Sequence, residues 1–203
     1  MATTVEILLY DGMNEFEFAS VYDVLSSVEC PAQNGRPQHK AFQVETVAER
    51  AGAIETSHHL RLSAQKTLSA STSASIVIVP AGPGARRPSI SPIIIQWLTG
   101  SMATADLVCG VSSGVYMLGK AGLINNRRVT THYTLIEDLK RFYPRAEVVA
   151  GNRVATDGRN LITCGGGTAA IDLALVVVQR FYGPQSAQSA ANRLEYAGYP
   201  LMR

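Results

Sequence analysis

Apolar runs of two kinds alternate along the chain, and their alternation predicts the fold class. Val5 to Tyr10 is a short β-compatible run, stopped by Asp11-Gly12. Glu15 to Ser27 has helical spacing, with Phe16, Ala19, Val24 and Leu25 predicting much of the buried face. Pro31 to Gln38 is a Pro/Gly/Asn-rich loop, Phe42 to Val47 alternates as a second strand, and Ile54 to Leu62 fits a small hairpin or irregular excursion. Ser75-Ile-Val-Ile-Val-Pro80 is β-branched without polar alternation, as a strand covered on both faces should be.

Ala81-Gly-Pro-Gly84 follows as a tight loop, and a helix is predicted from Ser91 to Met102 around Trp97. Asp106 to Val111 is another buried strand, meeting Ser112-Ser-Gly114 and then a helix from Val115 to Gly122. Arg128 to His132 reads as a short strand ending in histidine, followed by a helix to about Tyr143. Glu147 to Val149 and Arg153 to Thr156 read as edge strands, with a turn at Asp157-Gly158. Leu161 to Cys164 leads through Gly165-Gly-Gly167 into an apolar helix from Thr168 to Tyr182. Strands alternating with helices of this length imply an α/β fold: a flavodoxin-like, doubly wound, mostly parallel sheet with helices on both faces.

Length and composition narrow this only a little. The 203 residues fit one domain, 1–203, with 183–203 as a partly helical C-terminal extension; there is no internal repeat and no linker. With 46% hydrophobic and 17% charged residues the chain is globular, and a net charge of +2 does not call for nucleic acid or an anionic membrane. No apolar run reaches transmembrane length, and Met1-Ala-Thr-Thr-Val lacks the regions of a signal peptide. Cys30, Cys109 and Cys164 show no metal-ligand spacing; their odd number leaves a thiol unpaired, so a reducing cytoplasm is expected. Neither a metal nor a cofactor is expected.

In a doubly wound sheet, ligands bind at the carboxyl ends of the strands near the topological switch point. Loops beginning at Asp11, Ala81, Ser112 and His132 would gather there. The turn Val111-Ser112-Ser113-Gly114 passes from strand to helix through small residues, which a nucleophile elbow requires; an anion or carbonyl pocket requires the same geometry without any chemistry. By itself Ser112 is a small polar turn residue. His132 by position alone is a strand-end histidine satisfied by backbone groups. Glu17 would ordinarily be a solvated charge, but its neighbours Phe16 and Phe18 suggest partial burial, which raises a carboxyl pKa. Cys109 reads as a core thiol and Cys164 as structural. His58 and His59 point to opposite faces if extended, which argues against a shared metal, and Gly165-Gly-Gly167 lacks the spacing of a phosphate loop.

The order and spacing of Ala81-Gly82-Pro83-Gly84, the Ser112 turn, Val129-Thr130-Thr131-His132, Asp157-Gly158 and Thr163 to Asp172 resemble the ThiJ/PfpI superfamily, also called class I glutamine amidotransferase-like. The likeness covers nearly the whole chain. It implies a reactive residue at the elbow, usually cysteine and here Ser112. The resemblance also implies His132 and Glu17 as its partners, and the backbone amides of Gly82 and Ser113 as oxyanion or ligand donors. Two positions depart from the pattern: Ser112, which needs a stronger base than a thiol does, and Ala81, where glycine is common.

Two branches of the superfamily are relevant. The tail Arg193-Leu-Glu-Tyr196 faintly resembles isonitrile hydratases. Thr163 to Leu175 and Lys120 to His132 look more like the sensor domain of AraC-type transcription regulators. The resemblance therefore implies a small-molecule-binding sensor domain, non-catalytic because serine replaces the elbow cysteine, homodimeric, and without a DNA-binding module in this chain. The alternative is a hydratase or hydrolase acting on C–N or carbonyl substrates, with Ser112, or a native cysteine that it replaced, as nucleophile.

Overall fold

The structure is a computed structural model, described for residues 2–30, 38–71, 74–87 and 89–197. Its organising element is a seven-stranded sheet built from β1 (Thr3–Leu9), β2 (Phe42–Ala48), β3 (Lys66–Thr67), β4 (Ile76–Val79), β5 (Leu107–Val111), β6 (Val154–Asp157) and β7 (Leu161–Cys164). The strands lie in the order β6-β7-β5-β4-β1-β2-β3. All neighbours are parallel except β6 and β7, so the antiparallel strand sits at an edge.

Two layers of helix explain why the central strands β4 and β5 are apolar throughout. α1 (Glu15–Ser27) and α5 (Ala169–Arg193) cover one face, while α2 (Pro92–Thr104), α3 (Val115–Lys120) and α4 (Ile136–Phe142) cover the other. Side chains alternate across β4 accordingly: Ile76 and Ile78 pack with α1 and α5, Val77 and Val79 with the opposite layer. α5 is broken at Gly183 (φ 83°), just before Pro184, which is where the apolar helix was expected to stop; the chain then continues as a second helical segment. Among the described residues no helix is long and apolar enough to cross a membrane.

From β1 the chain passes outward to β2 and β3, then returns to β4 on β1's other side. This reversal puts the switch point between the carboxyl ends of β1 and β4. The loops there are bonded to one another: the Tyr10 hydroxyl donates to the Pro80 carbonyl at 2.7 Å, and the Asn14 amide to the Ala81 carbonyl at 2.7 Å.

Several sequence expectations need correction. Phe16 and Ala19 are exposed; the buried stripe of α1 is Glu17, Val21, Val24 and Leu25. The strand expected over Arg128 to His132 is only Arg128–Val129, and it pairs in parallel with Glu147–Val148 in a ribbon outside the main sheet. Glu147 to Val149 is therefore not an edge of the main sheet. The hairpin expected within Ile54 to Leu62 is present as Ala53–Glu55 against Arg61–Ser63. The loop expected at Pro31 to Gln38 falls, except for Gln38, outside the described residues.

Candidate functional site

Ser112 follows β5 with φ at 49°, a left-handed conformation that costs a non-glycine residue about 1–2 kcal/mol. Its surroundings hold it there. The Thr131 hydroxyl donates to the Ser112 carbonyl at 3.0 Å, and the Val115 amide closes the turn by donating to the same carbonyl. Gly114 lets the turn press against the end of β4, since a Cβ there would lie 2.3 Å from the Val79 carbonyl oxygen. The Ser112 backbone amide faces the buried Cys164 sulfur and offsets part of the burial that pushes this thiol's pKa well up.

Glu17 reaches the same point from α1. Asn14 caps this helix, its side chain accepting from the Glu17 amide at 3.0 Å, which sets the phase that turns Glu17 inward. Burial raises the Glu17 pKa, while the Gly167 amide, donating at 2.7 Å, and the nearby Ser112 hydroxyl act against that rise. Ser112 and Glu17 are thus neighbours, although 95 residues separate them in the sequence.

Gly82 and Ser113 also meet. The Ser113 hydroxyl accepts from the Gly82 amide at 2.9 Å and donates to the Gly82 carbonyl at 3.0 Å. Gly82 (φ 142°) can only be glycine, because a Cβ would lie 2.2 Å from the Gly12 carbonyl oxygen. The Gly82 amide, expected to serve as an oxyanion donor, is therefore already engaged by a side chain.

His132 stands apart from this group. Its Nδ1 lies 2.8 Å from the Thr134 hydroxyl, and its ring stacks on Tyr133 with centroids 4.6 Å apart. Its Cδ2 edge is so close to Gly166 that a Cβ there would lie 2.2 Å from the imidazole Cδ2. Among the described residues no hydrogen bond joins the ring to Ser112 or Glu17. Instead His132 lines a cleft of about 520 Å³, together with Thr131, Tyr133, Asn152, Arg153 and Gly165 to Gly167. Two wall residues of this cleft are the ones that bond Ser112 and Glu17: Thr131 and Gly167.

A further network at the cleft was missed by sequence reasoning. Arg153 pairs with the buried carboxylate of Asp172, donates to the Thr168 hydroxyl at 3.0 Å and contacts the Tyr196 hydroxyl at 3.1 Å; Tyr196 in turn donates to Asp172 at 3.0 Å. One signal was available. Asp172 is a carboxylate on the apolar face of a buried helix, which needs a cationic partner. Asp157 has a fold-holding role, since its carboxylate takes the Arg128 amide and the Arg127 guanidinium, which together hold its pKa down. His58 and His59 each bond a different glutamate, Glu15 and Glu55, and the described residues contain no group of three metal-ligating side chains.

Comparison with known proteins returns the same architecture. The family model described as the DJ-1/PfpI family matches residues 3–180. An isonitrile hydratase from Pseudomonas putida is 30% identical over 200 residues, spanning 98% of this chain and 81% of that enzyme. The transcriptional regulator CdhR from Pseudomonas aeruginosa is 28% identical over 168 residues, which is 83% of this chain but only 49% of the regulator. The crystal structure of Drosophila melanogaster DJ-1beta superposes with a TM-score of 0.83 at 22% identity, covering 98% of this chain and 100% of that one.

Proposed function

Because this chain belongs to the DJ-1/PfpI family, we propose that it is a small-molecule-binding domain of the regulator-sensor type, without turnover at Ser112. The ligand occupies the cleft beside the elbow, between His132, Asn152 and Gly165 to Gly167.

The observation that carries this reading is the company Ser112 keeps. A serine nucleophile needs a base able to take its proton. The neighbour of Ser112 is Glu17, a carboxyl whose pKa, although raised, belongs to an acid far stronger than an alcohol. His132 engages Thr134 through Nδ1 and packs on Gly166, and among the described residues no acid is bonded to it. The Gly82 amide is held by Ser113, so one of the two donors that would steady an oxyanion is in use. These groups suit recognition of a polar ligand better than its activation. Homodimerisation belongs to the same proposal; Phe16, 51% exposed on α1, offers apolar surface for it, and sedimentation velocity reads it.

The test combines thermal shift with turnover. A panel of small polar metabolites is screened for stabilisation, which reaches about 2.7 kcal/mol at a hundred times Kd. The expected hit stabilises the protein, is recovered unchanged, and binds the Ser112→Ala variant as well. Steady hydration or hydrolysis of the hit would overturn the reading.

A second reading, favoured by the relative that spans 98% of this chain and most of its own length, is a hydratase of the isonitrile hydratase kind. Here Ser112, or a cysteine in its place, attacks an sp carbon while Glu17 and His132 handle protons. Turnover of an isonitrile by the parent or by Ser112→Cys supports it; inertness of both removes it.

A further inference from the structure

A second cleft, of about 240 Å³, opens on the other side of the switch point, between the ends of β1 and β2, the turn at Gly84 and the start of α2. Its walls are of two kinds. Leu9, Ile54, Ile94 and Met117 give it an apolar floor, and Arg50 and Arg87 stand at its rim. Among the described residues neither arginine forms an ion pair, although most other cations of the chain do. The Arg87 side chain folds back over the end of β1: a Cβ on Gly12 would lie 3.2 Å from its Nη2. None of Glu17, Gly82, Ser112, Ser113 and His132 lines this space.

Two carboxylates also border it, and both are committed to the fold. Asp11 accepts the Glu55 amide at 2.9 Å, and Glu49 accepts the Ser91 hydroxyl at 2.7 Å. They leave the arginines unneutralised at close range, yet they disfavour a ligand carrying two negative charges.

We infer that this cleft is a second ligand site, which binds a small organic monocarboxylate with its charged end on Arg50 and Arg87 and its hydrocarbon body on Leu9, Ile54, Ile94 and Met117. Guanidinium forks match a carboxylate in shape and charge. The apolar floor selects against a bare inorganic anion. Drug-sized ligands occupy roughly 300–1,000 Å³, so the smaller volume here restricts the guest to a short-chain acid.

The experiment titrates the isotope-labelled full chain with hexanoate, hexan-1-ol and inorganic phosphate, following methyl and amide resonances. Hexanoate is expected to shift the Ile54, Ile94 and Met117 methyls, and to bind at least tenfold more tightly than either partial mimic. Arg50→Gln and Arg87→Gln, both on exposed positions, are expected to weaken hexanoate at least tenfold together while leaving Tm unchanged. If Arg87→Gln lowers Tm, Arg50→Gln alone must still weaken it. Ser112→Ala leaves hexanoate affinity as it was. The inference is overturned if hexan-1-ol or phosphate binds as well as hexanoate, if the glutamine variants keep full affinity, or if the cleft methyls do not move. Shifts confined to Thr131 and Gly167 overturn it too, while leaving the reading of the elbow cleft intact.

Discussion

The Ser113 hydroxyl spans both backbone groups of Gly82, accepting from its amide at 2.9 Å and donating to its carbonyl at 3.0 Å. A buried amide that would otherwise face the elbow is thereby satisfied from within the protein. Ser113→Ala removes the partner of that amide. The variant is expected to lose about 1–3 kcal/mol of stability, the cost of an unsatisfied buried donor. It is also expected to bind an anionic ligand at the elbow more tightly, because the freed N–H then has use for it. Urea denaturation measures the first effect and calorimetric titration of the ligand the second.

Glu17 makes stability depend on pH in a defined direction. Its pKa in the folded state lies above the ordinary glutamate value of 4.5, chiefly through burial. The folded protein therefore holds this proton more tightly than the unfolded chain does. That contribution is complete below the unfolded value and is lost as pH rises through the folded one. Glu17→Gln cannot titrate, so its urea midpoint should fall less than the parent's across the mildly acidic range just above 4.5. Parallel curves for the two proteins would refute the assignment.

Gly82 and Gly166 both leave no room for a Cβ, but for different reasons. At Gly82 the obstacle is backbone, the Gly12 carbonyl at 2.2 Å, and the conformation itself is left-handed. Gly82→Ala should cost about 3 kcal/mol or more, since neither strand end can withdraw. At Gly166 the obstacle is the half-buried His132 ring, a side chain that can turn away. Gly166→Ala should cost under about 1 kcal/mol yet displace the imidazole and weaken ligand binding in the cleft. Thermal unfolding and the His132 ring resonances distinguish the two.

The three thiols should react very unequally. Cys109 and Cys164 are fully buried and their pKa values are pushed well up by burial, whereas Cys30 is half-buried. Iodoacetamide at neutral pH is expected to label Cys30 alone in the native protein, as peptide mass spectrometry would show. In Ser112→Cys a second label is expected at position 112, because the thiolate forms at the start of a helical turn.

Tyr196 ties the C-terminal segment to the cleft through Asp172 and Arg153. Tyr196→Phe removes both bonds and keeps the ring, so a loss of about 1 kcal/mol is expected. If the segment only drapes over the surface, the unfolding midpoint will not move.

Much of this was readable from local pattern. The β-branched run ending at Val79, the small residues after Val111 and the break expected near Tyr182 all follow from constraints that act within a few residues: strand burial, turn sterics and helix termination. These were enough to set the α/β class and to bring forward the turn at Ser112, whereas Gly82 and Glu17 entered through the family resemblance. The α1 helix shows where local pattern stops. Its pattern put Phe16 and Ala19 on the buried face, whereas the Asn14 cap and the Gly167 amide fix the phase that turns Glu17 inward.

His132 shows the same limit from the other side. Its place after Val129-Thr130-Thr131 was legible, but its ring direction depends on Gly166, Tyr133 and Thr134 packing around it. What the chain alone determined is the order of its elements and the small residues at its turns, because these rest on each residue's own covalent shape. The tertiary structure alone decided which polar groups meet: Ser113 with Gly82, Glu17 with Gly167, Asp172 with Arg153. Those partners are distant in sequence, and only closing the sheet and its two helical layers brings them within hydrogen-bonding reach.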